Sequence, residues 1–297
     1  MDCVINLNKP RGITSQEAVT RVKKALGVKK AGHAGTLDPI AEGVLLILIN
    51  EATKIAEFLF DMDKEYIATL KLGERTDTFD SDGRVIEKKE CLSIKMDDIS
   101  RVIETMKGTL KQVPPMYSAL KHKGKPLYSL ARKGIEIERS ERTVNIYRLD
   151  IKRFNSPYLE LSIACSKGTY IRSLAEGIGN SLGVGAHITE LKRVRIGEFK
   201  VSDSVSLKEI GNEAVCFTLD SALSHLREVV LSEKDFSYAR NGRPIALKEP
   251  QLLPEKKTFL RLKSPDGKLF AVGVLQRDVE GTVPLIKIQK QLHLSKS

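Results

Sequence analysis

The chain has 297 residues, enough for a large core and two domains. Its 41% hydrophobic and 29% charged residues exclude a disordered chain. Lysine and arginine number 49 against 38 aspartate and glutamate, a net charge of +11, which points to a polyanionic partner, with RNA or DNA ahead of a membrane.

Val4 to Leu7 is predicted as a short buried strand, followed by the turn Asn8 to Ser15 (NKPRGITS), punctuated by Pro10 and Gly12. Thr14 and Glu17 have capping-box spacing, and Ala18, Val19, Val22, Ala25 and Leu26 mark the inner face of a helix that Gly27 stops. Next comes Gly32 to Pro39 (GHAGTLDP), predicted as a loop. Its glycines let a ligand approach the main chain, and Asp38 is its only carboxylate. An Asp-Pro pair also reads as a turn, or as a helix N-cap with proline at the first helical position. The apolar strand Val44 to Ile49 holds this loop against the core, and a second helix is expected over Ala52 to Phe60.

Lys64 to Leu72 alternates, with Tyr66, Ala68, Leu70 and Leu72 on one face, as in a half-buried strand. Thr76 to Gly83 (TDTFDSDG) resembles part of an EF-hand loop, but no glutamate stands at the required distance, so calcium is rejected. Asp97 to Met106 is an amphipathic helix ended by Gly108. Gln112 to Gly134 carries Lys121, Lys123, Lys125, Arg132 and Lys133, interleaved with Tyr117 and Tyr128 and without an acidic residue. That composition suits a phosphate-contacting insertion, and equally a solvated surface hairpin or helix. Strands are expected over Val144 to Ile151 and Leu159 to Cys165, then a helix through Ser166 to Ile178, then a strand from Leu191 to Lys200 carrying Lys192, Arg193 and Arg195. From Val229 onward, short apolar segments are broken by Asn241-Gly242, Pro250, Pro254, Pro265 to Gly267 and Gly281, the pattern of a small all-β module.

The four cysteines, Cys3, Cys91, Cys165 and Cys216, lie far apart without a CxxC pair, which argues against a zinc site and a disulfide framework and for isolated buried thiols. Gly177 and Gly179 lack dinucleotide-fingerprint spacing, and no P-loop occurs. The N-terminus shows no signal-peptide pattern and no stretch approaches the ~18–20 apolar residues of a membrane span, so a cytoplasmic protein is expected. What remains is a carboxylate, aromatics, an arginine and basic surface. That set suits cofactor-free chemistry on a nucleic-acid base extracted from its stack. Burial raises a carboxylate's pKa and a guanidinium lowers it; Arg172, near Tyr170, is a candidate partner for Asp38.

NKPRGITS, GHAGTLDP followed by AEGVL, LGERTDTFDSDG, VPPMYSALKHKGKPLY, SKGTYIRSLA and GAHITELKR occur in this order and together resemble the TruB family of bacterial tRNA pseudouridine-55 synthases. The resemblance covers roughly the first three quarters of the chain, an order-of-magnitude reading of motif spread; NGRPI and GKLFAVGV are similar to a PUA domain. It implies an α/β (α+β) fold: a mixed, mainly antiparallel sheet flanked by helices over 1–228, an RNA-binding insertion at about 112–137, and a small all-β PUA-like domain over 229–297. It implies an isomerase that turns a T-arm uridine of tRNA into pseudouridine without cofactor, metal or protein partner, acting as a monomer. Asp38 matches the family's catalytic aspartate, as nucleophile, base or both. Tyr66 matches the tyrosine that stacks on the base or relays a proton. Tyr170 and Arg172 match GTYIR, with Arg172 forked onto Asp38. Leu191 matches an apolar base contact, His33 a contact to the flipped-out RNA, and Lys9 and Pro10 a buttress of the Tyr66 strand. Lys121, Lys123, Lys125, Arg132, Lys133 and Arg193 are the implied RNA-contacting cations. Asn8 and Thr36 depart from the commoner Asp and Ala. A guide-RNA-dependent synthase of the dyskerin type is the nearest rival, and a non-catalytic tRNA-folding protein on the same scaffold the other.

Overall fold

The computed structural model describes residues 1–211, 216–246, 258–277 and 284–293. Among them a ten-stranded sheet forms the spine. Its main path runs Cys216–Phe217, Cys3–Lys9, Ala41–Ile49, Ala186–Ile196, Lys64–Leu72, Tyr158–Cys165, Arg142–Asn155, Gly108–Gln112. Ala31–Ala34 is added onto Ala41–Ile49, and Phe199–Lys200 onto Ala186–Ile196. The described pairs of this sheet are antiparallel except for Ala186–Ile196 beside Ala41–Ile49. At that parallel seam Leu191 lies opposite Ala41 on one side and Ala68 on the other, and Arg193 opposite Gly43 and Tyr66.

Local sequence explains most of these elements. Lys64–Leu72 buries every second residue, as its alternation requires. Ala41–Ile49 carries an unbroken apolar run from Val44 onward because both of its faces are covered there. Leu45, Ile47 and Ile49 join a core under the helices Ser15–Ala25, Met96–Thr105 and Ile171–Ser181. Val44, Leu46 and Leu48 join a second core beneath the helical segment after residue 49. Thr14 caps the first helix by accepting the Glu17 N–H at 3.0 Å. The return half of the capping box is missing, since the Glu17 carboxylate pairs with Arg21 at 2.6 Å.

Several boundaries differ from expectation. The segment read as a loop from Gly32 begins as the strand Ala31–Ala34, because Gly32 and Ala34 pair with Leu48 and Leu46. The helix expected over 52–60 is a 3₁₀ turn, Asn50–Ile55, leading into a short α-helix, Ala56–Phe60. The strand expected from Leu191 starts at Ala186 and folds back after Gly197. Nor are all four thiols isolated: Cys3 Sγ donates to Cys216 Sγ at 2.7 Å across the sheet edge, both remaining free thiols.

A second sheet of five strands closes the chain, in the order Arg227–Val230, Thr258–Lys263, Leu269–Arg277, Pro284–Gln291, Ile245–Ala246. The helix Glu233–Arg240, capped by Ser232, packs with it and was not anticipated. Phe259 of this sheet meets Phe58 edge-on, with ring centroids 4.8 Å apart, so the two sheets share an apolar contact. Pro250, Pro254 and Gly281, which punctuate this region in sequence, lie outside the described residues.

Gly43 sits on the parallel seam at φ +101°, and a Cβ there would fall 2.2 Å from the Arg193 carbonyl oxygen. Gly43→Ala therefore meets both a strained backbone and a clash, and is expected to cost at least about 2 kcal/mol. Denaturant unfolding checks this; a midpoint equal to wild type would contradict the seam geometry.

Candidate active site

The loop that carries Asp38 is held from two directions. From the N-terminal motif, the Gly12 N–H donates to the Pro39 carbonyl at 2.8 Å. Ser15 Oγ donates to the Leu37 carbonyl at 2.9 Å and accepts the Leu37 N–H at 2.8 Å. Lys9 fixes that motif: its fully buried ammonium donates to the Pro10 and Ile13 carbonyls at 2.9 and 2.8 Å. Burial lowers its pKa to about 8, against the pull of Asp38. Lys9 pairs with Gly43 of Ala41–Ile49, and its ammonium braces the turn that holds the Asp38 loop.

From the other side comes Arg193, only 2% exposed. Its Nε donates to the Val44 carbonyl and its Nη2 to the Gly35 carbonyl, each at 2.8 Å, and Nη1 reaches the Thr36 carbonyl at 3.4 Å. The expectation that Arg193 is a surface RNA contact is corrected: its guanidinium is spent on main-chain carbonyls inside the fold. The Ala41 N–H closes onto the Asp38 carbonyl at 3.1 Å and a strand follows, so Asp38-Pro39 is a turn and not a helix cap.

Arg172 stands in the first turn of Ile171–Ser181 and is 4% exposed. Its Nε lies 2.9 Å from Asp38 Oδ2, and its Nη1 lies 3.2 Å from Asp80 Oδ2. Nη1 also donates to the Thr78 carbonyl at 3.0 Å, and Nη2 to the Tyr117 carbonyl at 2.7 Å. The expected pair with Asp38 is present, but the fork is shared between two carboxylates and two carbonyls. Asp80 is further occupied, since its Oδ1 accepts Thr78 Oγ1 at 2.6 Å and the Asp82 N–H at 3.1 Å. Asp38 is left about a third exposed, with its contact to Arg172 Nε the one ion pair recorded for it among the described residues. Asp80 was missed in the sequence. The signal was TDTFDSDG, weighed for calcium and as part of a family motif but not for a carboxylate that meets Arg172.

Asp38 and Arg172 open into a cleft of about 350 Å³ whose walls include Tyr66, Tyr170, Leu191 and Lys64. Tyr66 is 7% exposed, and burial raises its phenol pKa against the nearby Arg193 charge. Burial likewise raises the Tyr170 phenol. The Tyr170 main chain is fixed by Gln112, whose Oε1 accepts its N–H at 3.0 Å and whose Nε2 donates to its carbonyl at 3.4 Å. Lys64, two residues before Tyr66 on the same inward face, donates to the Phe60 and Met62 carbonyls, and burial lowers its pKa to about 8. It too was missed, although a lysine in the inward register of an alternating strand was a legible anomaly. A larger groove, about 760 Å³, runs past Ile67, Thr69 and Glu160 and shares only Leu191 with this cleft. It lacks the Asp38–Arg172 pair, so the smaller cleft is the candidate site.

His33 is not among the cleft's walls. It lies on Ala31–Ala34 opposite Ile47, and burial, with Arg193 nearby, lowers its pKa. Lys121, Lys123, Lys125, Arg132 and Lys133 are exposed around the hairpin Lys121–His122/Lys125–Pro126 and the helix Leu127–Ala131. None of the five is in a recorded ion pair among the described residues, and Arg132 stacks over Tyr128 at 5.7 Å. The set is a free cationic surface beside the cleft. Among the described residues no cluster of His, Cys, Asp and Glu fits a metal ion, and no helix is long and apolar enough to cross a membrane.

Comparison with known proteins places this geometry. Residues 23–171 match the TruB family pseudouridylate synthase N-terminal domain, and residues 172–233 the tRNA pseudouridylate synthase B C-terminal domain. The chain is 42% identical to the tRNA pseudouridine synthase B of Clostridium tetani (strain Massachusetts / E88), over 95% of this chain and 97% of that one. It is 44% identical to the protein of the same name from Haemophilus influenzae (strain 86-028NP), over 94% and 93%. A solved Cbf5-Nop10-Gar1 complex contains a chain similar to 99% of this one, covering 84% of its own length, with a TM-score of 0.71 and 27% identity. With residues 23–233 matched by two family models and a relative 42% identical over 95% of the chain, the chain belongs to the TruB family of pseudouridylate synthases.

Proposed function

We propose that this chain converts the T-arm uridine at position 55 of tRNA into pseudouridine, with Asp38 as the catalytic group. Isomerisation of tRNA uridine is the activity that the names of its relatives carry. The observation that supports Asp38 is its carboxylate, 2.9 Å from a buried guanidinium, at the mouth of a cleft walled by two tyrosines and a leucine.

The reaction balances within one nucleoside. The bond from ribose C1′ to uracil N1 breaks, the base turns, and C1′ bonds to C5. The C5 proton leaves and N1 gains one. No electrons enter or leave, so the chain's own groups suffice. Asp38 serves as nucleophile or base at the sugar–base junction, and Arg172, 2.9 Å away, holds its carboxylate in place. Tyr66 and Leu191 hold the extracted base between an aromatic and an apolar wall. The Tyr66 phenol, on the cleft wall, is placed to donate or relay a proton. Tyr170 completes the wall beside Asp38. His33, adjacent to the Asp38 loop, contacts the RNA that the flipped nucleotide leaves.

The five free cations of 121–133 meet the T-arm backbone, and the C-terminal five-stranded sheet is a second RNA-binding surface. The 112–137 segment thereby acts as a substrate clamp, and the enzyme works as a monomer in the cytoplasm without a protein partner. Activity on bare tRNA separates this reading from a guide-dependent one.

Three outcomes check it. Asp38→Asn should keep RNA binding and the folded state while lowering tritium release from C5-labelled T-arm RNA by more than about 10⁴-fold; turnover near wild type would remove Asp38 from the mechanism. Arg172→Lys keeps a charge but not four directed donors, and should lower kcat by about 10²-fold with a smaller change in KM. A near-normal kcat would make Arg172 merely structural. Limited proteolysis should cut first within 113–137 and be slowed by tRNA; identical cleavage with and without tRNA would contradict the clamp.

A further inference from the structure

Four cations line the cleft, Lys64, Arg142, Arg172 and Arg193, and the fold accounts for three of them. Lys64, Arg172 and Arg193 are buried and spend their donors on carbonyls and carboxylates of the chain. Arg142 is the fourth. It is exposed, and no ion pair or side-chain hydrogen bond is recorded for it among the described residues. Glu141, its neighbour in sequence, pairs with Lys111 at 3.6 Å instead. The backbone beneath Arg142 is fixed. It opens the strand Arg142–Asn155 opposite Gln112, the residue whose side chain holds the Tyr170 main chain. Arg142 therefore stands on the sheet, at the root of the basic insertion. It lies close enough to Tyr170 for its charge to act on the phenol, pulling down a pKa that burial raises.

We infer that Arg142 binds a phosphate flanking the flipped uridine and so holds the reacting nucleotide in the cleft. The inference rests on the uridine-flipping reading above. A nucleotide within RNA carries a phosphodiester on each side of its ribose, so a base that enters the cleft brings negative charge to its mouth. Asp38, which must meet the sugar–base junction, is itself an anion and repels that charge. Arg172 cannot offset it, since its donors already go to two carboxylates and two carbonyls. Arg142 can. A guanidinium offers two parallel N–H donors that match phosphate oxygens, and this one has no partner in the fold to give up. Its role differs from that of the five cations of 121–133. Those meet the T-arm backbone whether or not the cleft is filled, whereas a cation on the cleft wall gains its partner when the nucleotide leaves the stack.

The test pairs a chain variant with an RNA variant. T-arm RNA is made with the phosphate on the 5′ side of the target uridine, or on its 3′ side, replaced by a neutral methylphosphonate. A 2′-methoxy group on the ribose at the 5′ end of that linkage keeps it from cleaving, and RNA with the same group and an ordinary phosphate is the reference. Affinity is measured for wild type, Arg142→Gln and Arg142→Lys, with Tm read alongside. Wild type should lose about tenfold on one of the two neutral RNAs. Arg142→Gln should lose about tenfold on the reference RNA and less than about twofold more when that same phosphate is neutral. Arg142→Lys keeps the charge without the fork and should fall between the two. All three chains should share one Tm, because the side chain has no partner in the fold. Wild-type affinity in Arg142→Gln would overturn the proposal. So would losses that multiply for both neutral RNAs, which would take Arg142 away from the target nucleotide, or a Tm well below wild type in both variants, which would show a bond made within the fold. Failure of the wild type to act on unmodified T-arm RNA would instead remove the reading beneath the proposal.

Discussion

A buried guanidinium governs the site. Taking Arg172 out of water costs several kcal/mol unless its donors are met, and here they meet Asp38, Asp80 and the carbonyls of Thr78 and Tyr117. Those partners come from three segments remote in sequence: the loop after Ala31–Ala34, the 76–83 turn, and the root of the basic insertion. Each is drawn to the same point by the need to satisfy one cation. The two carboxylates differ in what else holds them. Asp80 is saturated by its own turn, whereas Asp38 is left with an oxygen facing the cleft. That asymmetry makes Asp80 an anchor and leaves Asp38 the carboxylate open to the cleft.

A second buried arginine does the complementary work. Arg193 ties the carbonyls of Gly35, Thr36 and Val44 together, and the NKPRGITS turn grips Leu37 and Pro39 from behind. The Asp38 loop therefore needs no regular structure of its own. The parallel seam puts Arg193 opposite Gly43, where only glycine leaves room for the approach. It also puts Leu191 beside Ala41 and Ala68, two small residues that leave its side chain to the cleft.

Much of this was legible where the cause is local. The alternation of Lys64–Leu72, the Thr14 cap and the apolar run of Ala41–Ile49 depend on neighbours in sequence, and they fold as their patterns require. The ordered motifs also pointed to Asp38, Tyr66, Tyr170, Arg172 and Leu191, which the fold brings to one cleft. What escaped depends on distant contacts. Arg193 reads as a surface charge between Lys192 and Arg195, yet by simple alternation it shares the buried face of Leu191, and the register irregularity falls after it. Asp80 lies in a turn whose polar residues suggest solvent, and only Arg172 shows why it is buried. Cys3 and Cys216 meet because the sheet places the chain's first strand beside a late one. His33 stands apart from these: it lies on Ala31–Ala34 opposite Ile47 and is not among the cleft's walls.

The central claim is that Asp38, Arg172 and Asp80 act as one charge network, and a double-mutant cycle on kcat tests it most directly. Asp80→Asn, Arg172→Lys and the double variant are assayed under single turnover on T-arm RNA, with Tm confirming that each is folded. Coupling through Arg172 predicts that Asp80→Asn alone is slow and that adding it to Arg172→Lys costs little more. Losses that simply multiply would show that Asp80 and Arg172 act independently, and would contradict the account.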